Sequence, residues 1–102
     1  LNETGKTAEA LTQLNKIRMR AGLATLAGLM QAQTRDAIEL ERRLELLGEG
    51  HRWFDLVRTG KALATMTAKN YRMQAHHVLF PVPQQQIDVV GNKAIFDQNP
   101  GY

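Results

Sequence analysis

Two carboxylates four residues apart, Glu41 and Glu45, are the first residues of this chain whose types and spacing could do chemistry. A pair of carboxylates serves as general acid and base in glycoside hydrolysis. The same pair suits an ion-pair network between helices. Two acids at i and i+4 repel by a few tenths of a kcal/mol unless a cation sits between them. Arg18 is the candidate cation, because it lies on the apolar side of the first predicted helix, an odd place for a charge. The network reading is preferred, since no nucleophile or oxyanion donor accompanies the pair. The sequence has no Ser and no Cys. That removes serine and thiolate nucleophiles, disulfides and thiolate metal sites, and no Thr–His–acid order stands out among the threonines.

The other candidates have bland alternatives. Glu49, Arg52, Asp55 and Arg58 alternate in sign at three-residue steps, which on a helix allows i,i+3 pairs. Trp53 within that run could stack on a sugar ring, but Leu56 and Val57 beside it favour a core position. His51, His76 and His77 are the three imidazoles. Adjacent residues of an extended chain point to opposite sides, and the ligand spacing of a structural metal site is missing. Gly48-Glu49-Gly50 lacks the rest of a phosphate-loop fingerprint. The reading assigns no catalytic residue, metal ligand or cofactor.

Helices must position these groups. Ala10, Leu11, Leu14, Ile17 and Ala21 recur at helical spacing and predict a helix over 6–20, with Thr7 as N-cap and Lys16 and Arg20 on the opposite face. Gly22 after Arg18 and Arg20 is a stop signal. Residues 23–30 read as a loop. A longer helix begins between Met30 and Thr34, with Ala37, Leu40, Leu44 and Leu47 as its core-facing seam. Ile38, Glu41, Glu45 and Arg52 share a neighbouring strip if that helix runs past Gly48, but Gly48 and Gly50 predict a kink or break. Further short helices follow through Trp53–Val57 and over 61–69. His77–Phe80 reads as extended, and Pro81 and Pro83 forbid regular helix. Gln84–Val90 suits one helical turn, and 91–102 is irregular.

Composition narrows the class. With 102 residues there is room for one modest core. No apolar run approaches the ~18–20 residues of a membrane span. The net charge of +3 is spread over stretches that mix both signs, such as Asp36–Glu49. A nucleic-acid binder shows a basic stripe instead, so no nucleic-acid partner is expected.

Three blocks together resemble the SusD/RagB family of outer-membrane nutrient-binding lipoproteins. They are EALTQLNKIRMRAGL at 9–23, ERRLELLGEGHRWFDLVRTGK at 41–61, and LFPVPQQQID at 79–88 with the closing QNPGY at 98–102. Leu47-Gly48 and Gln86 depart from the usual pattern. The resemblance covers nearly the whole chain and implies a mainly α fold. In that fold residues 1–102 form the C-terminal part of a longer domain, opening on a tetratricopeptide-like helix and closing on an irregular Pro/Gly-containing tail. The implied function is non-catalytic. A glycan or oligosaccharide is captured at the outer membrane, on its extracellular face, for a SusC-like TonB-dependent transporter. A lipid anchor absent from this chain would hold the protein to the membrane. No ligand-binding residue carries over. Arg18, Arg20, Glu41, Arg42, Glu45, Glu49, Arg52, Asp55 and Arg58 read as structural. Two alternatives stay open: a stand-alone helical protein-interaction module, and a glycosidase using Glu41 and Glu45. Unpartnered apolar helix faces also predict self-association of the chain alone.

Overall fold

The computed structural model describes residues 1–102, and its ordered elements are helices joined by turns. A 3₁₀ turn at Asn2–Thr4 precedes α1 (Thr7–Arg20), α2 (Gln31–Glu45), α3 (His51–Arg58) and α4 (Ala62–Thr67). A second 3₁₀ turn at Ala75–Val78 and α5 (Gln84–Val90) complete the order. The mainly α expectation therefore holds. The chain divides into two units, Leu1–Arg52 and Trp53–Tyr102.

In the first unit, α1 and α2 pack together with the opening 3₁₀ turn. Thr7 is not the N-cap. It is already the first helical residue, and Lys6 holds the cap position without a side-chain hydrogen bond. The opening turn causes this shift. Leu1 O accepts the Lys6 N–H at 3.0 Å, so the chain reverses before Thr7. The far end of α1 stops as the sequence predicts. Gly22 takes a left-handed φ of 73°. Leu23 N–H then bonds Arg18 O at 2.8 Å and Gly22 N–H bonds Met19 O at 3.0 Å, which satisfies the last carbonyls. Ala10, Leu11 and Leu14 are buried, whereas Ile17 and Ala21 are exposed, so only the first half of the stripe is covered.

The α2 seam is turned relative to expectation. Leu40, Leu44 and Leu47 are 55%, 56% and 78% exposed, while Thr34 is 0% and Glu41 5% exposed. One residue is about 100° of helix. The face that meets α1 is thus the strip through Thr34 and Glu41, roughly a quarter turn from the leucines. Arg18 on α1 supplies the reason, since it bonds Glu41 and draws that strip inward. Gly48 and Gly50, with φ of 87° and 76°, then separate α2 from α3. The helix breaks there, so Arg52 does not prolong the Glu41/Glu45 strip.

Carboxamides hold the connections of this unit. Asn15 Nδ2 donates to Leu26 O at 2.8 Å, and Leu26 N–H donates to Asn15 Oδ1 at 2.8 Å. Leu26 of the loop 23–30 is thereby tied to α1 through both of its backbone polar groups. Asn2 and Gln31 exchange side-chain-to-carbonyl bonds of 2.9 and 2.7 Å, tying the opening turn to the start of α2.

The second unit buries Leu56, Ala62 and Ile87. Both α3 and α4 end in the same closure as α1. Lys61 N–H bonds Leu56 O at 2.9 Å, and Tyr71 N–H bonds Met66 O at 3.1 Å, where the left-handed residue is Asn70. His77–Phe80 is not extended throughout. Residues 75–78 coil into the second 3₁₀ turn, because His77 Nδ1 accepts the Gln74 N–H at 3.0 Å and caps it. Extended backbone begins at Leu79. Pro81 and Pro83 carry no N–H, so the segment cannot join a ladder. The tail clasps it instead. Gln98 Oε1 accepts the Val82 N–H at 2.6 Å and Gln98 Nε2 donates to Val82 O at 2.9 Å. Asn99 Nδ2 donates to Phe80 O at 2.7 Å, and Tyr102 Oη donates to Leu79 O at 2.8 Å. The span 84–90 is seven helical residues, longer than the single turn expected.

Candidate functional site

The charged seam between α1 and α2 is the strongest constellation in the first unit. Arg18 Nη1 donates to Glu41 Oε2 at 2.7 Å, and Arg18 Nε donates to Ala24 O at 2.9 Å. The guanidinium therefore joins α1, α2 and the intervening loop. The two side chains are 19% and 7% exposed, so the pair is largely removed from water. One turn further along, Arg20 pairs with Glu45 at the surface. Arg20 was expected on the opposite face of α1. Its long side chain reaches round to Glu45, which the backbone angle alone does not reveal. Both carboxylates that could have formed an acid/base pair are thus held by arginines.

A groove of about 410 Å³ runs alongside this seam. Leu1, Ala10, Leu14, Ile17, Ile38 and Leu46 supply its apolar wall, and Asn2, Gln13, Glu41, Arg42 and Glu45 its polar edge. No group of three or more His, Cys, Asp or Glu is placed to hold a metal ion.

A further ion pair escaped the sequence reading. Arg35 on α2 grips Glu3 with two bonds, Nε to Oε1 at 2.8 Å and Nη2 to Oε2 at 2.5 Å. The Arg35 hydrogen bond holds the Glu3 carboxyl below its ordinary pKa, and Glu3 raises that of Arg35 in return. The two residues are 32 apart in sequence, and no local pattern links them.

In the second unit Asp55 and Arg58 realise one three-residue step of the alternating series at 3.1 Å. Glu49 stands in the turn before α3, with its carboxylate 4.0 Å from His51, so its step toward Arg52 is not a helical one. Trp53 is half-buried rather than core, and Tyr71 is exposed. His76 and His77 do not diverge. Their rings meet edge-on at 4.1 Å, with the Tyr102 ring 5.0 Å from His76.

The SusD family pattern matches residues 1–102, the full length of the chain. This protein belongs to the SusD family. It is similar to three proteins of Formosa agariphila. SusD-like protein P25 is 39% identical over 100 residues, which are 86% of this chain and 19% of that protein. SusD-like protein P38 is 41% identical over 75 residues, 65% of this chain and 15% of that protein. SusD-like protein P2 is 29% identical over 116 aligned positions, 100% of this chain and 23% of that protein. The chain spans about a fifth of the length of these relatives. No solved structure matches it.

The blocks that carry the SusD resemblance now have visible physical roles. Arg18, Arg20, Glu41 and Glu45 join two helices. Asp55 and Arg58 brace α3. Gln98, Asn99 and Tyr102 of the closing block bond the backbone of Leu79, Phe80 and Val82 in the Pro-containing block. Two separate sequence blocks are thus one structural clasp.

Proposed function

We propose that this chain is the C-terminal scaffold of a SusD-like surface lipoprotein. The whole protein captures glycan outside the outer membrane and passes it to a TonB-dependent transporter, without catalysis of its own. Family membership over residues 1–102 is the observation that carries this reading. In the whole protein, aromatic stacking and hydrogen bonds would retain the sugar, and the ligand surface would lie largely outside residues 1–102.

The non-catalytic part rests on the state of Glu41 and Glu45. A general acid needs a carboxyl able to approach the glycosidic oxygen. Glu41 is nearly buried and bonded to Arg18, and Glu45 is paired with Arg20. Each of these carboxylates at the groove's edge is therefore already held by a guanidinium.

Glycan-array binding tests the proposal, comparing this chain with a longer polypeptide that contains it. Binding by the longer form alone is the expected result. Binding by the 102-residue chain alone would overturn the scaffold reading and make Trp53 and Tyr71 the first residues to substitute. Hydrolysis of an array glycan, lost in Glu41→Gln, would overturn the non-catalytic reading.

A further inference from the structure

The closing clasp of the second unit is seated on two imidazoles. The turn at 75–78 is capped where His77 Nδ1 accepts the Gln74 N–H at 3.0 Å. An imidazole nitrogen accepts only while it carries a lone pair, and both nitrogens of the imidazolium are donors. The same turn holds the His76 ring against the tail. A Cβ on Gly101 would lie 2.8 Å from His76 Nδ1, so tail backbone covers that side of the ring. The Tyr102 ring meets His76 edge-on at 5.0 Å. Leu79, whose N–H bonds His76 O at 3.0 Å, in turn accepts the Tyr102 hydroxyl. The His76 and His77 rings are 4.1 Å apart, close enough for two positive charges to repel.

We propose that protonation of His77 opens this turn and frees the tail 98–102 from the segment 79–82, so that the clasp is an acid-released strap. In the closed form His77 must keep its Nδ1 lone pair, whereas in the open form the ring is free to take a proton. Proton uptake is therefore linked to opening. The closed form is favoured above the imidazole range of about pH 5–8 and loses ground as pH falls through it. The neighbouring elements do not offset this with a paired acid on the turn. α4, which packs against the turn, has no titratable side chain, and Lys61 and Lys69 stand just beyond its ends. The tail brings Tyr102, whose hydroxyl is donated to Leu79 O. Asp97, just ahead of the tail, accepts the Gln98 N–H. Arg72, two residues before the cap, is exposed. The closing α-carboxylate belongs to Tyr102 and stays in place in every variant below.

Amide exchange followed by NMR tests the strap, expressed as protection relative to an unstructured chain at the same pH. In the unaltered chain, protection of the Leu79 and Val82 N–H groups is expected to fall by about threefold or more between about pH 7.5 and about pH 5. The Leu14 amide of α1 is expected to keep its protection over the same range. His77→Gln places a carboxamide at the third position of the capped turn, where glutamine reaches back to the cap N–H without titrating. It is expected to stay closed at both pH values. His77→Ala removes the acceptor and is expected to be open at both. Far-UV circular dichroism checks that both variants keep their helices. His51, the remaining imidazole, lies 4.0 Å from Glu49 and is present in every variant. A fall that persists in His77→Gln would therefore overturn the proposal. So would a Val82 amide unprotected at the higher pH, or protection that does not change with pH. A fall at Leu79 without one at Val82, or one shared by Leu14, would overturn it as well.

Discussion

Arg18 Nη1 donates to Glu41 Oε2 at 2.7 Å, joining two helices across 23 residues of sequence. The arginine sits within an apolar stripe, and the glutamate sits on the strip of α2 that α1 covers. Each therefore depends on the other for solvation. A largely buried pair adds little net stability over an apolar replacement, but removing one partner strands the other charge.

Arg18→Ala is accordingly expected to destabilise the chain by about 3 kcal/mol, the lower end for breaking a buried pair. Arg20→Ala, which removes a surface pair, is expected to cost less than about 1 kcal/mol. Urea denaturation followed by circular dichroism checks the contrast. Equal effects would mean that burial does not govern this seam.

The Glu3–Arg35 pair gives a pH dependence with a definite sign. Arg35 holds the Glu3 carboxyl below its ordinary pKa. The folded state therefore binds this proton less readily than the unfolded chain. The contribution is present above the ordinary Glu range and is lost as pH falls through the depressed folded value. An NMR titration of the Glu3 side chain is expected to show the lowered midpoint and its return toward the ordinary value in Arg35→Gln. An unmoved midpoint in that variant would remove Arg35 as the cause.

The C-terminal clasp is sensitive at one glycine. Gly101 has a φ of 101°, and a Cβ there would lie 2.5 Å from His76 Cγ. Gly101→Ala is expected to dislodge Tyr102 from Leu79 O. Gln98→Ala removes the acceptor of the Val82 N–H directly. Amide exchange at Val82 is expected to quicken by about tenfold or more in either variant, as local opening becomes easier. Unchanged exchange would show that the tail does not hold the segment.

How much of this was legible depended on the range of each interaction. The ends of α1 and α3 were readable because Gly22 and Gly60 act on their own helix. Arg18 was readable because a charge in an apolar stripe demands a partner. The orientation of α2 was misread. Its leucine spacing announces an apolar flank but not which neighbour covers it, and that choice belongs to Glu41. Glu3–Arg35 left no trace, since any exposed acid could have met that arginine. The blocks at 79–88 and 98–102 stood out through the SusD resemblance. Their mutual bonds did not, because side-chain-to-backbone pairing depends on where the chain returns.

The first unit is assembled with two kinds of joint. Guanidinium groups join its helices to each other and Glu3 of the opening turn to α2, and the neutral amides of Asn15, Asn2 and Gln31 pin the loop and the opening turn beside them. Mobile ions screen exposed charges over a Debye length of about 8 Å at physiological ionic strength, but they leave neutral dipoles almost untouched. Brine would slacken the outer Arg20–Glu45 and Glu3–Arg35 rivets first and the sheltered Arg18–Glu41 rivet far less. Screening would leave the amide stitches almost as they are.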